Sequence, residues 1–216
     1  MFEAIGTLGR LPTTDPQRRV ARLVATEVDD IRGTLGPFQA HNGQPGFTSP
    51  VTYPDNDFAQ RLAALAAMLD AGVPIRCVAI DAPGGFDTHS NQAGSLGDDI
   101  QTVCDALLAF QRDLEARGIG SRVLTQVWSE FGRRPEQNDT GTDHGAGGVA
   151  FVIGTKAKGQ QVGEFPGLAT LDDSDNLRAT ADFRGLYCSL LEQWFGVDAT
   201  PIIPGAQNFT RPLLVA

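Results

Sequence analysis

Apolar residues fall along this chain in two rhythms, and the changes of rhythm mark its predicted elements. Val20, Leu23, Val24, Val28 and Ile31 follow Thr14-Asp15-Pro16 at helical spacing. A cap followed by proline at the first helical position starts such a helix, and this one is predicted to end near Gly33. Ahead of it, Met1 to Pro12 shows no clear period. From Thr34 to Asn56 the pattern dissolves into Gly, Pro, Asn and Thr with Phe38, Phe47 and Tyr53 interleaved, which reads as a long surface excursion. His41 lies in it and is assigned no role. A second helix is predicted over Asp57 to Asp70, with Phe58, Leu62, Leu65 and Leu69 on one face and Gly72 as its stop. The strongest periodic signal is a third helix from about Ser95 to Arg117, carrying Ile100, Val103, Leu107, Phe110 and Leu114 and stopped by Gly118 and Gly120. Thr180 caps a last helix, Asp182 to Phe195, that stops at Gly196. The tail beyond, with Pro201, Pro204 and Pro212, reads as an irregular wrap.

Three runs have no helical period. Ile75 to Ile80 is nearly continuous in apolar residues, as expected of a strand covered on both faces in a parallel sheet. Val123 to Trp128 and Val149 to Ile153 are β-branched and aromatic. A strand, a long helix and another strand make a βαβ unit, whose crossover is right-handed and leaves the two strands parallel. The predicted fold class is therefore α/β, a mostly parallel sheet flanked by helices, in one domain spanning 1–216.

With 216 residues, 41% hydrophobic and 20% charged, the chain is long enough for one such domain with a real core. Its net charge of −9 argues against nucleic acid or an anionic membrane face as partner, since both reward clustered Lys and Arg. No apolar run reaches the length of a membrane span, and Met1-Phe2-Glu3-Ala4 opens neither a basic nor an apolar leader. The chain thus reads as soluble, without an export signal. Cys77, Cys104 and Cys188 lack C-x-x-C spacing and sit in apolar segments, so they are expected to be buried structural thiols.

Candidate chemistry collects in the loops. Asp87-Thr88-His89 places a carboxylate and an imidazole at i and i+2, which point the same way in extended backbone and can share one ion. Glu130 closes the Val123 strand. The seventeen residues from Phe131 to Gly147 then form a connection too long to be ordinary inside a compact domain, and they carry Asp143-His144. In a parallel pair both strand ends emerge on one edge, where ligands bind open α/β sheets. Asp87, His89, Glu130, Asp143 and His144 are accordingly expected to crowd one rim as metal ligands. Oxygen and imidazole donors without cysteine suit Zn, Mn, Fe, Mg or Ca. Arg133, beside Arg134, offers bidentate contacts to a phosphate or sulfate group; a structural ion pair with Glu130 or Asp139 is the other reading. No G-x-S-x-G elbow and no Walker A loop is present. Ser90, Ser129, Thr88 and Thr142 lie near the acids and histidines, and none is assigned as nucleophile. The acidic run Asp172-Asp173-Ser174-Asp175 lacks the alternation and closing Glu of an EF-hand and reads as a solvated turn.

Four motifs in order carry a resemblance: Gly84-Gly85-Phe86-Asp87-Thr88-His89, Ser129-Glu130-Phe131-Gly132-Arg133, Gly141-Thr142-Asp143-His144-Gly145, and Thr180 with Asp182-Phe183-Arg184. Over about Asp57 to Gly196 they resemble the DUF1501 family, an uncharacterised bacterial group similar to the alkaline phosphatase and sulfatase superfamily. Members of the family are longer and often begin with a twin-arginine export signal; this chain resembles their carboxyl-terminal half. The resemblance implies a partial alkaline phosphatase-like fold and a periplasmic or exported setting. It also implies a two-metal site that hydrolyses small phosphate or sulfate esters with a Ser, Thr or modified Cys nucleophile. In the superfamily that nucleophile and the first metal-binding Asp lie on amino-terminal elements outside the resemblance. The other reading is a non-catalytic binding or scaffold domain that keeps the rim for a structural ion or a sugar. Substrate, metal identity and oligomeric state stay unassigned.

Overall fold

A computed structural model describes residues 2–39 and 46–216 of the chain; His41 lies outside them. Helices dominate: α1 (Phe2–Gly9), α2 (Pro16–Leu35), α3 (Asp57–Asp70), α4 (Gln92–Ala116) and α5 (Phe183–Ser189), the last continuing into one wide turn (Leu190–Trp194). Capping chemistry sets their starts. The Asp15 carboxylate accepts from the Gln17 and Arg18 amides with Pro16 next to it, the Asn56 side chain accepts from Ala59 N–H, and Asp182 accepts from Arg184 N–H. Each satisfies donors that a helix start leaves without internal partners. α4 begins ahead of the predicted Ser95 because Asn91, at φ 51°, turns the chain directly into the helix.

The main core lies between α3 and α4. Phe58, Leu62 and Ala66 from α3 meet Val103, Ala106, Phe110 and Leu114 from α4, closed below by Ile119. Small residues at the seam, with Ala59, Ala66 and Ala106 fully buried, let the two helices approach closely. Tyr53, Ile80, Phe86 and Val123 pack against this body from outside.

A buried ion cluster fastens the ends of the pair. Asp113, on the α4 side, is completely buried. Its carboxylate accepts from Arg117 Nε at 2.7 Å, Tyr53 OH at 3.0 Å and Ser49 Oγ at 3.0 Å. Arg117 also donates to Asp70 Oδ2 at the end of α3 (2.8 Å) and to Thr48 O (2.6 Å). Burial, and then the neighbouring Asp113 charge, push the Tyr53 hydroxyl well above the ordinary tyrosine range. A smaller core of Cys188, Ala199 and Ala206 packs with Leu191, Ile203 and Phe209. There Arg211 reaches both carboxylate oxygens of Glu192, a forked pair that binds the irregular tail to the last helix and lowers the Glu192 carboxyl below its ordinary range.

The mostly parallel sheet is overturned. Among the described residues the strands are β1 (Thr125–Val127), β2 (Gly132–Asn138), β3 (Gly141–Gly145) and β4 (Phe151–Ile153). They form two separate two-stranded sheets, β1 with β4 and β2 with β3, both antiparallel. The Ile75–Ile80 run forms no ladder, and Val78 in it is exposed. An apolar run reports a tendency to burial and does not supply a partner. Here β1 pairs with the chain that returns to it after the glycine-rich loop, and a short-range antiparallel ribbon is the better-bonded alternative to an isolated parallel pair. The expected alkaline phosphatase-like layering, and the single sheet edge meant to gather the site, go with it. Two thiols also depart from expectation: Cys188 is buried, whereas Cys77 and Cys104 are exposed. α1 and α2 are stapled by Arg10 to Asp29 and Asp30, while the Val20, Leu23, Val24 and Ile31 stripe of α2 stays exposed. No helix among the described residues is long and apolar enough to cross a membrane.

Candidate metal centre

The connection from Phe131 to Gly147 is a hairpin, and it builds the site. β2 and β3 are joined through Asp139-Thr140, with Asn138 opposite Gly141 and Arg133 opposite His144. Asp139 sits at φ 46°, a conformation that Asp tolerates better than most residues. Between Arg133 and Gln137 the register shifts where Pro135 cannot donate to the ladder.

The Asp87–Asn91 loop lies across the β3 end of this hairpin. Thr142 N donates to Thr88 O (3.3 Å), Gln92 N to Thr140 O (2.9 Å), and Asn91 N to Thr140 Oγ1 (2.9 Å). The approach is so close that a Cβ at Gly141 would collide with the backbone of Thr88 and His89. Gly141→Ala is therefore expected to separate loop from hairpin, an overpacking that costs roughly 1–3 kcal/mol. Amide exchange at Thr142 should accelerate at least about tenfold, the equivalent of ~1.4 kcal/mol. Wild-type exchange in that variant would show that the contact does not hold the loop.

Three side chains converge on one point. His144 Nε2 lies 2.7 Å from Asp87 Oδ1, His89 Nε2 lies 3.0 Å from the same oxygen, and the two ring nitrogens are 3.2 Å apart. All three groups are about half exposed, with side-chain exposures of 61%, 48% and 47% for Asp87, His89 and His144. Two imidazole nitrogens facing each other and one carboxylate oxygen cannot fill all three edges with well-aligned protons, because a neutral ring has one N–H and one lone pair. A single cation facing the three atoms satisfies them together. Tetrahedral zinc, with ligands at about 2.0–2.1 Å, sets its donors about 3.3–3.4 Å apart, so the edges of 3.2 and 3.0 Å need to open by a few tenths of an ångström and the 2.7 Å edge by about 0.6 Å.

Aromatic and cationic groups frame the triangle. The Phe131 ring stacks on His144 at 3.9 Å and 11°, fixing the plane of the imidazole. Arg133 donates to the carbonyl oxygens of Thr142 and Phe86 and, at 3.2 Å, to Asp87 Oδ1. Its first duty is thus to clamp the loop to the hairpin. The hydrogen bond from His144 holds the Asp87 carboxyl below the ordinary carboxylate range, against partial desolvation, with the charges of His144, His89 and Arg133 adding to it.

The sequence-predicted ligands divide accordingly. Asp87, His89 and His144 form the one three-donor group of acids, histidines and cysteines close enough to share an ion among the described residues. Asp143 reaches His89 from the other side, its Oδ1 3.3 Å from Nδ1. Glu130 is exposed and stands outside the group. Arg133 pairs with Asp87 rather than with Glu130 or Asp139. Three of the nearby hydroxyls are engaged or enclosed, whereas Ser90 is exposed: Ser129 Oγ donates to Phe131 O, Thr142 Oγ1 bonds Gln92 Oε1, and Thr88 is buried. Sequence reading placed Phe131 and Gly141 within motifs without giving either a role, and passed over Asn138. The run Asn138-Asp139-Thr140-Gly141 held the available signal, since Asn, Asp and Gly together mark a turn.

The model of the family DUF1501, described as a protein of unknown function, matches residues 24–192. The chain belongs to DUF1501. All of the donor triangle, its Phe131 stack and the hairpin lie inside the matched DUF1501 region. No curated protein and no solved structure matches the chain.

Proposed function

We propose that this DUF1501 chain carries a divalent-metal site that serves hydrolysis of small phosphate or sulfate esters. The observation that supports it most is the convergence of Asp87 Oδ1, His89 Nε2 and His144 Nε2 on one point at 2.7–3.2 Å. Two imidazoles and one carboxylate fit zinc, manganese or iron better than magnesium or calcium, which prefer oxygen ligands throughout. Exposure of the triangle leaves room for a substrate oxygen. Bound there, a divalent ion supplies Lewis-acid polarisation of an ester oxygen. Asp87 and the two histidines hold the site, Phe131 and Arg133 keep its members in place, and the Arg133 charge favours an anionic group beside Asp87. The ester class rests on the resemblance of the motifs to the alkaline phosphatase and sulfatase superfamily; the two antiparallel ribbons lend that part no support.

A second reading has its own observation. Ser129 and Thr142 spend their hydroxyls on local partners and Thr88 is enclosed, leaving of the four candidates the exposed Ser90; that loss of three favours a binding domain that keeps one ion without turnover. Metal titration of the purified chain, followed by assays with aryl phosphate and aryl sulfate, separates the two. Metal-dependent release of the aryl alcohol is the expected result. Metal bound without turnover supports the binding domain, and no bound metal defeats both.

A further inference from the structure

We propose that Asp143 is a positioning residue, holding His89 in the tautomer the site requires without touching the ion; the inference rests on the metal reading above. Its adjacency to His144 in sequence invites the opposite view, two neighbouring ligands on one cation. Strand geometry works against that view, because consecutive residues of β3 point to opposite faces. His144 enters the triangle through Nε2. The Asp143 carboxylate instead passes to the far side of the His89 ring and meets Nδ1, while His89 Nε2 faces Asp87 and His144. The two nitrogens of an imidazole present their bonding directions away from each other. A group seated on Nδ1 is therefore badly placed for an ion seated on Nε2.

That placement has a chemical consequence. A carboxylate only accepts, and one faces each nitrogen of His89, Asp87 Oδ1 at 3.0 Å from Nε2 and Asp143 Oδ1 at 3.3 Å from Nδ1; an ion on Nε2 excludes a proton there, so the proton of the ion-bound ring sits on Nδ1, facing Asp143. A carboxylate behind the distal nitrogen of a metal-binding histidine fixes ring orientation and tautomer and strengthens the ligand. Behind Asp143 stands Asn138, whose Nδ2 donates to the same Oδ1 from the end of β2. The hairpin thereby does two things at once: it supplies His144 as a ligand and sets the His89 ring that arrives on another loop.

The test uses the full chain, loaded first with zinc. At a pH of about 8, above the ordinary histidine range, nitrogen-15 correlation spectra report which ring nitrogen carries the proton. Zinc-loaded wild-type His89 is expected in the Nδ1–H form with that proton slow to exchange, and Asp143→Ala is expected to speed its exchange. Cobalt(II) titration is then expected to show one ion per chain and an affinity about 10- to 100-fold weaker in Asp143→Ala, the range for loss of such a partner. The visible cobalt bands should keep their shape, since the ligand count is unchanged, and Asp143→Asn should recover most of the affinity. Zinc bound to His89 through Nδ1, with the proton on Nε2, overturns the inference alone. Altered cobalt bands in Asp143→Ala do the same, for they mark a lost ligand. A wild-type chain that binds no cobalt overturns the metal reading and the inference with it.

Discussion

His144→Ala should lower the affinity of the chain for zinc or cobalt(II) by more than about a hundredfold, beyond the range usual for losing an outer partner of a ligand. The change removes one corner of a triangle whose remaining edge, Asp87 Oδ1 to His89 Nε2, is 3.0 Å. Asp87→Ala should do at least as much, because that oxygen is the atom both rings and Arg133 converge on. Glu130→Ala is the informative control. Its side chain stands outside the group, so its affinity should stay within about threefold of wild type, a difference of under ~1 kcal/mol. Isothermal titration with each variant decides the matter. A Glu130 variant weakened as strongly as the His144 variant would refute the three-donor assignment and restore the wider rim.

The second large effect concerns stability. Asp113→Ala leaves Arg117 half-stripped of its partners in a site where the Asp113 side chain is fully enclosed and that of Arg117 is 11% exposed. It also orphans Tyr53 OH and Ser49 Oγ. Removing one member of a buried ion pair typically costs about 3–5 kcal/mol because the other charge loses its compensation. Asp70 still holds Arg117, so a loss of about 3 kcal/mol is expected. Equilibrium urea unfolding of the two proteins measures it. A loss under about 1 kcal/mol would place the cluster with ordinary surface pairs.

The same cluster shows where sequence reading succeeds and where it stops. Helix α3 was legible to the residue, since its apolar face and its glycine stop lie in one continuous stretch of sequence. Nothing local announces that Asp113 will meet Tyr53 and Ser49 sixty or more positions away. Strand direction failed for a related reason. Ile75–Ile80 has the composition of a central strand, but composition cannot name the neighbour, and the β1 ladder went to β4. At the site, Asp87 and His89 were legible as a pair because i and i+2 share a face in extended backbone. His144 joined them as expected, though through a hairpin rather than a sheet edge. The placement of Asp143 was beyond reach, because which nitrogen of His89 it meets depends on the register of β2 against β3 and on how the Asp87 loop crosses them.

The hairpin and the crossing loop lie outside the α3–α4 core, tied to it at the start of α4 by Gln92 and Asn91. Segments held by a few backbone bonds open more readily than a packed helical body. Far-ultraviolet circular dichroism, dominated by helix, will therefore register a healthy preparation even when the donors have drifted apart. Judging whether a sample is competent calls for a reporter on the ribbon itself, and the ring-current shift that Phe131 imposes on the protons of His144 is the natural one.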